Sequence, residues 1–197
     1  SMGGAIAARL LQRYPNLIKA AVLSSPMFAI NNGGIPTWLA KSIINSGAFF
    51  NNLISNEPWY FIGHGNYQAK SFADNTLTHS KSRYQRFIDS YQKQPKAQLG
   101  GVTFQWLTQA LQVNEDIFNQ LDLITTPILI LQAGEDSIVD NTAQNNFCTA
   151  LYQRDQSLCE SSQPFRIEGA YHELFFEQDK YRQQALNKTL TWLTRFR

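Results

Sequence analysis

The sequence predicts an α/β fold, a parallel sheet with flanking helices, interrupted by a long helical insertion. Three observations predict it. Residues 20–23 and 128–131 are short, continuous apolar runs, the pattern of strands covered on both faces. Segments with helical spacing of apolar residues alternate with them. Between Trp38 and Trp106 lie thirteen of the 25 aromatic residues, with no strand alternation. That stretch reads as a helical insertion with an apolar inner surface, its aromatics packing a small core of their own.

In chain order, Ile6, Ala7, Leu10, Leu11 and Tyr14 recur at helical spacing, and Pro15 stops the pattern. A helix over 4–14 follows, burying that face. A strand over 19–24 is closed by Pro26. Asn31, Asn32, Gly33 and Gly34 make a loop, after which Pro36 and Thr37 open a helix carrying Leu39, Ile43 and Ile44. Ser80 caps a helix bearing Tyr84, Phe87, Ile88 and Tyr91 that ends before Pro95. A third helix covers 103–113. The sheet resumes with the strand at 128–131, a helix over 142–152 and a short strand at 165–167. A last helix follows, with Leu186, Leu190 and Leu193 on it. The organisation is therefore 1–26 as the first part of a core, 27–115 as a helical cap insertion and 116–197 as the remainder of the core.

Composition narrows the function. With 43% hydrophobic and 16% charged residues, the 197-residue chain is globular. Its 17 basic and 15 acidic residues are interspersed, so no basic patch marks a nucleic-acid binder. No apolar run reaches the roughly 18 residues of a membrane span, and no secretory signal opens the sequence. Cys148 and Cys159 have no metal-ligand spacing with His64, His79 or His172, and no metal or cofactor is expected. The two cysteines are expected to be a reduced pair in a cytoplasmic protein, with a local bridge as the alternative.

The candidate chemistry begins at Ser1, Met2, Gly3 and Gly4. Small residues after a serine at the head of a helix match the second half of a nucleophile elbow, the tight turn that exposes a hydroxyl above a sheet. A cloning remnant, or small residues merely opening a helix, fits the same four positions. Glu135, Asp136 and Asp140 follow the carboxyl end of the strand at 128–131, the edge where open α/β sheets place their sites. Asp136 is the candidate acid. Asp140 competes but suits a helix cap before Thr142 better. His172 lies beyond the next strand. The order Ser1, Asp136, His172 is that of the α/β hydrolases. A serine hydroxyl needs a neutral imidazole to accept its proton, and the imidazole needs a carboxylate to fix its tautomer.

The segments 1–4, 129–140 and 169–173 resemble the monoglyceride lipase and lysophospholipase branch of the α/β hydrolases. Asn75, Thr76, Leu77, Thr78, His79 and Ser80, with Arg83, Tyr84, Gly100, Gly101 and Trp106, are similar to the cap of the bacterial type two lysophospholipases. The resemblance spans nearly the whole chain. It implies hydrolysis of a lysophospholipid's acyl ester through an acyl-enzyme, acyl transfer to phosphatidylglycerol, and loose association with the bacterial inner membrane. It also implies Ser1, Asp136 and His172 as catalytic residues and the Met2 amide as an oxyanion-hole donor. General carboxylesterases and monoacylglycerol lipases carry the same triad, and a noncatalytic fragment acting as a hydrophobic binding module is the reading outside enzymes.

The sequence also departs from that family. It accounts only for the last three strands of the family's sheet, and the Gly-x before the serine and the early loop that supplies a second oxyanion donor are not in it. The chain as given is therefore expected to be the C-terminal part of the fold and inactive or nearly so. A remnant of this kind exposes a sheet edge and one helix face, which a second copy or a separate N-terminal half would cover.

Overall fold

A computed structural model describes all residues, Ser1–Arg197. The elements run α1 (Met2–Arg13), β1 (Ala21–Ser24), α2 (Thr37–Ile54), α3 (Lys81–Lys93), α4 (Phe104–Asn119), β2 (Ile128–Ala133), α5 (Asn141–Arg154), β3 (Phe165–Ile167) and α6 (Asp179–Leu193), joined by short 3-10 turns. The three strands form one parallel sheet in the order β1, β2, β3, with Ala21 opposite Ile128 and Leu131 opposite Phe165. This is an α/β fold.

Side-chain alternation along the strands builds the two sides of the core. Ala21, Leu23, Ile128 and Ile130 point to one face, where they meet Ala5, Ala8 and Leu11 of α1, Ile117 of α4 and Phe147 of α5. Leu129, Leu131, Ala133 and Ile167 point to the other, against Ala185 and Trp192 of α6. A strand buried on both faces favours apolar residues throughout, hence the run Ile128 to Leu131 in β2; the one polar residue, Gln132, is buried with its amide donating to the Asn141 carbonyl and Asn145.

Two helices turn a different face inward from the one their apolar spacing suggested. In α1 the buried residues are Ala5, Ala8, Leu11 and Gln12, whereas Ile6 and Leu10 are 58% and 42% exposed and Tyr14 is also exposed. The cause lies at Gly4, where an added Cβ would sit 2.5 Å from the Cβ of Pro26. With the helix start so close to the chain leaving β1, only the small side chains of Ala5 and Ala8 fit on the first turns of the inner face, and Leu11 and Gln12 fill it further along. Met2, Ile6 and Leu10 form an apolar row on the outside. In α6 the inner face is Ala185 and Trp192, and Leu190 and Leu193 are exposed. The row on α1 and the unpaired outer edge of β1 are the uncovered surfaces expected of this chain.

The cysteines correct a second expectation. Cys148 of α5 and Cys159 are joined as a disulfide, with Cα atoms 5.6 Å apart. The Leu158 carbonyl accepts the Ile128 amide at the start of β2, which brings Cys159 beneath α5, and both cysteines are buried there.

Between β1 and β2, α2 packs along α4. Ser80 caps α3 by accepting the Arg83 amide, and Thr103 caps α4 by accepting the Trp106 amide. Helix α4 is continuous through residue 115: Leu107 and Ala110 lie in its first half, and Ile117 reaches the main core. Phe28, just after β1, also belongs to that core, stacked on Phe147 with centroids 4.1 Å apart.

Candidate active site

The three strands end at one edge of the sheet, and three loops leave it there. From β1 the chain passes through Ser25, which has φ of +42°, a left-handed conformation that costs a non-glycine residue on the order of 1–3 kcal/mol. Its amide donates to the Leu131 carbonyl, and its hydroxyl donates to the His172 carbonyl at 3.0 Å. The strained residue thus binds the histidine loop to the end of β1.

Asp136 sits three residues past β2. Its Oδ1 accepts the amides of Ile138 at 2.9 Å and Val139 at 3.1 Å, and its Oδ2 lies 2.7 Å from Nδ1 of His172. The carboxylate is completely buried and the imidazole 3% exposed. Desolvation of the pair is offset by these hydrogen bonds, which also select the rotamer. With Nδ1 engaged, Nε2 is the nitrogen left to accept a proton. Asp140 is elsewhere employed: its Oδ1 accepts the Thr142 amide at 2.7 Å, capping α5.

The acid and histidine loops also meet through their backbones. The Gly134 amide donates to the Ile167 carbonyl and the Glu135 amide to the Ala170 carbonyl, each at 2.9 Å. Gly134 makes this approach possible, since a Cβ there would fall 2.8 Å from both the Ile167 oxygen and the Glu168 Cα.

Ser1 is at the same edge. Its carbonyl accepts the Met27 amide at 3.1 Å, and its amine donates to the carbonyl of Ser24, the last residue of β1, at 3.4 Å. Partial burial lowers the pKa of that amine, while the Glu173 and Asp136 carboxylates act in the opposite direction. Its side chain makes no cap for α1, and His172 bonds through Nδ1 to Asp136, so the structure couples His172 with Asp136 and not with the Ser1 hydroxyl. Met2 opens α1, placing its amide among the helix-terminal N–H groups that have no intrahelical acceptor.

Sequence reading missed Ser25 and Glu177. Glu177 is fully buried five residues after His172, and the sign of it was a single acid following the apolar Leu174, Phe175 and Phe176. No group of three His, Cys, Asp or Glu side chains is disposed to hold a metal.

A parallel sheet between helices, with a serine at a helix head and an acid and a histidine past successive strands, defines an α/β hydrolase. The chain belongs to the Hydrolase_4 family, described as serine aminopeptidase, S33, which it matches over residues 1–179. It is 35% identical over 195 residues to lysophospholipase L2 of Escherichia coli strain K12, covering 99% of this chain and 56% of that protein. It is 34% identical over 188 residues to the probable lysophospholipase L2 of Haemophilus influenzae, covering 94% and 55% respectively. The chain therefore spans about half the length of the curated relatives it matches. Among solved structures, the monoacylglycerol lipase of Paleococcus ferrophilus aligns with a TM-score of 0.72 at 17% identity, covering the whole chain and 66% of that structure. A soluble variant of the monoglyceride lipase of Saccharomyces cerevisiae aligns at 0.69 with 20% identity, covering the whole chain and 60% of its own length. These two likenesses are of fold.

Proposed function

We propose that this chain is the nucleophile-to-histidine part of a serine hydrolase that cleaves the acyl ester of lysophospholipids. The observation that carries the reading is the buried contact of 2.7 Å between His172 and Asp136 at the sheet edge where Ser1 also lies. In this mechanism the Ser1 oxygen attacks the ester carbonyl as His172 Nε2 takes its proton. Asp136 stabilises the imidazolium and the Met2 amide faces the oxyanion. Collapse breaks the ester C–O bond and His172 protonates the departing alcohol. Water, deprotonated by the same nitrogen, then hydrolyses the acyl-enzyme to fatty acid and free serine.

The reading assigns residues 27–115 as a cap over the site. A cavity of about 330 Å³ between the 67–77 segment and α3, lined by Leu77, Tyr84, Phe87, Ile88 and Ile138, supports it as the substrate pocket. Leu77 adjoins the histidine loop, because its carbonyl accepts the Glu173 amide, and Ile138 adjoins Asp136. No helix is long and apolar enough to cross a membrane. Contact with a lipid surface is instead assigned to α2, whose Trp38, Phe49 and Leu53 are 70%, 65% and 71% exposed. That contact would place the protein peripherally at the membrane carrying its substrate.

Activity is assigned to a polypeptide of the relatives' full length, whose remaining part would pair with β1, cover the outer row of α1 and supply the second oxyanion donor. Losing one such donor costs about a hundredfold or more in rate. The test joins the corresponding N-terminal part of a relative to this chain and applies a fluorophosphonate probe. Labelling at Ser1, with turnover of lysophosphatidylethanolamine or lysophosphatidylcholine faster than of monoacylglycerol, is the expected result. Faster turnover of monoacylglycerol would make it a monoacylglycerol lipase, and a chimera that folds without labelling would leave a noncatalytic module.

A further inference from the structure

We propose that Glu177 is a positioning residue for His172, holding the histidine loop in register with Asp136 and tying that loop to the insertion through Thr78 and His79. The proposal rests on the reading of His172 as the catalytic base. Glu177 touches no reacting atom. Its carboxylate is fully buried yet surrounded by donors. Oε1 accepts the Tyr171 amide at 2.9 Å and faces Nδ1 of His79 at 2.7 Å. Oε2 accepts the Gln178 amide at 2.7 Å, the His79 amide at 3.1 Å and, more weakly, the Thr78 hydroxyl at 3.5 Å. A carboxylate is held away from water only when its lone pairs are satisfied in this manner.

The placement of those bonds gives them their consequence. Tyr171 immediately precedes His172, so Glu177 fixes the backbone on the amide side of the base, while the Ser25 hydroxyl fixes its carbonyl side. The His79 ring stacks on Tyr171 with centroids 3.7 Å apart, and the Leu77 carbonyl accepts the Glu173 amide at 2.9 Å. Residues 77–79 of the insertion therefore bracket 171–173 of the histidine loop, with Glu177 as the shared acceptor. The loop has no regular secondary structure of its own to set where the imidazole stands, and a displacement of about 1 Å in such a group costs on the order of a hundredfold in rate. The same contacts make the histidine position dependent on a seated cap segment.

The experiment uses the 197-residue chain itself and reads the far-downfield proton resonance of the His172 Nδ1–H bonded to Asp136, which needs no turnover. Glu177→Gln replaces one acceptor oxygen with a donor, so at least one of the three converging amides loses its partner; the resonance is expected to vanish or broaden in a folded protein. His79→Phe keeps a ring on Tyr171 and deletes only the Nδ1 contact, and is expected to weaken the signal in the same direction. Asp179→Asn removes the charge paired with Arg83 at the same junction without changing the Glu177 side chain, and should leave the signal intact. In an active full-length enzyme, Glu177→Gln should lower kcat about a hundredfold with KM changed less than about twofold. Unchanged resonance in folded Glu177→Gln, or in His79→Phe should the first variant not fold, would overturn the proposal. Because the resonance is read without hydrolysis, the two failures are distinguishable: that result leaves the hydrolase reading standing, whereas an inactive chimera removes the catalytic role of His172 and leaves only its positioning by Glu177.

Discussion

Gly134 and Glu168 are packed backbone to backbone: a Cβ on Gly134 would lie 2.8 Å from the Cα of Glu168, inside any real carbon contact. This closeness lets the loops carrying Asp136 and His172 share hydrogen bonds through Glu135 and Ala170. Gly134→Ala should therefore act as an overpacking substitution, costing about 1–3 kcal/mol, because the opposing atoms are main chain and cannot rotate away. Urea denaturation would measure it. An unchanged midpoint would mean that the two loops can separate freely.

The paired glycines at the start of α1 should behave in opposite ways. Gly3 has open space where its Cβ would be, whereas Gly4 is pressed against Pro26, whose Cα would lie 2.8 Å from the new atom. Gly3→Ala should raise stability by about 0.5–1 kcal/mol through helix propensity alone. Gly4→Ala should lower stability, since α1 must retreat from the chain leaving β1. Thermal denaturation of the two variants side by side checks this; similar effects from both would remove the packing argument for the inner face of α1.

Asp136 and Asp140, both past β2, can be separated in a polypeptide of the relatives' full length. Asp136→Asn removes the carboxylate that orients His172, and the hydrolase reading expects a loss of about 10⁴-fold in kcat. Asp140→Ala removes a cap, and should cost about 1 kcal/mol of stability while leaving turnover nearly unchanged. Steady-state kinetics with chemical denaturation on both proteins would decide between them. Equal loss of turnover would mean that Asp140 takes part in the chemistry.

The contrast between these acids also marks how far the sequence could be read. β2 was legible because its first four residues, Ile128 to Leu131, are an unbroken apolar run of the kind a strand buried on both faces shows, and the capping roles of Ser80 and Asp140 because caps are local. Helix α1 was legible as a helix but not in its orientation: Ile6, Leu10 and Tyr14 give the stronger apolar row, yet the close approach at Gly4 turns Ala5 and Ala8 inward. Spacing records which residues share a face, not how near the neighbouring chain comes. Glu177 was invisible for another reason. Its partner His79 lies 98 residues away, and only folding brings that donor to it.

The disulfide is open to direct test. It closes a loop with a sequence separation of 11, for which chain-entropy arguments give about 2–3 kcal/mol. Replacing Cys148 and Cys159 together by serine should lower stability by that order, with an added penalty because both sites are buried. Intact mass before and after reduction reports whether the bridge forms. A protein lacking two hydrogen masses relative to its reduced form is expected, and free thiols reactive on unfolding would restore the reduced pair.

Helices α3 and α6 also meet through a surface ion pair with its own pH signature. Arg83 donates its Nη1 hydrogen to the Glu177 carbonyl and its Nη2 hydrogen to Asp179. The guanidinium, first by hydrogen bonding and then by charge, holds the Asp179 carboxyl below the ordinary aspartate value of 3.8, with a lesser contribution from Arg182. Because the folded-state pKa lies below the unfolded one, the pair stabilises the fold above the ordinary aspartate range, and that stabilisation is lost as pH falls through the depressed value. The carboxylate is exposed to water, so the effect is one of titration more than of stability. Carboxyl-detected NMR should find the Asp179 midpoint below 3.8. In Arg83→Gln most of the depression should disappear, and the remainder should reflect Arg182 and the positive end of α6, where Asp179 is the first residue. A midpoint unaltered by that substitution would show that the helix terminus, rather than Arg83, sets the charge of this carboxyl.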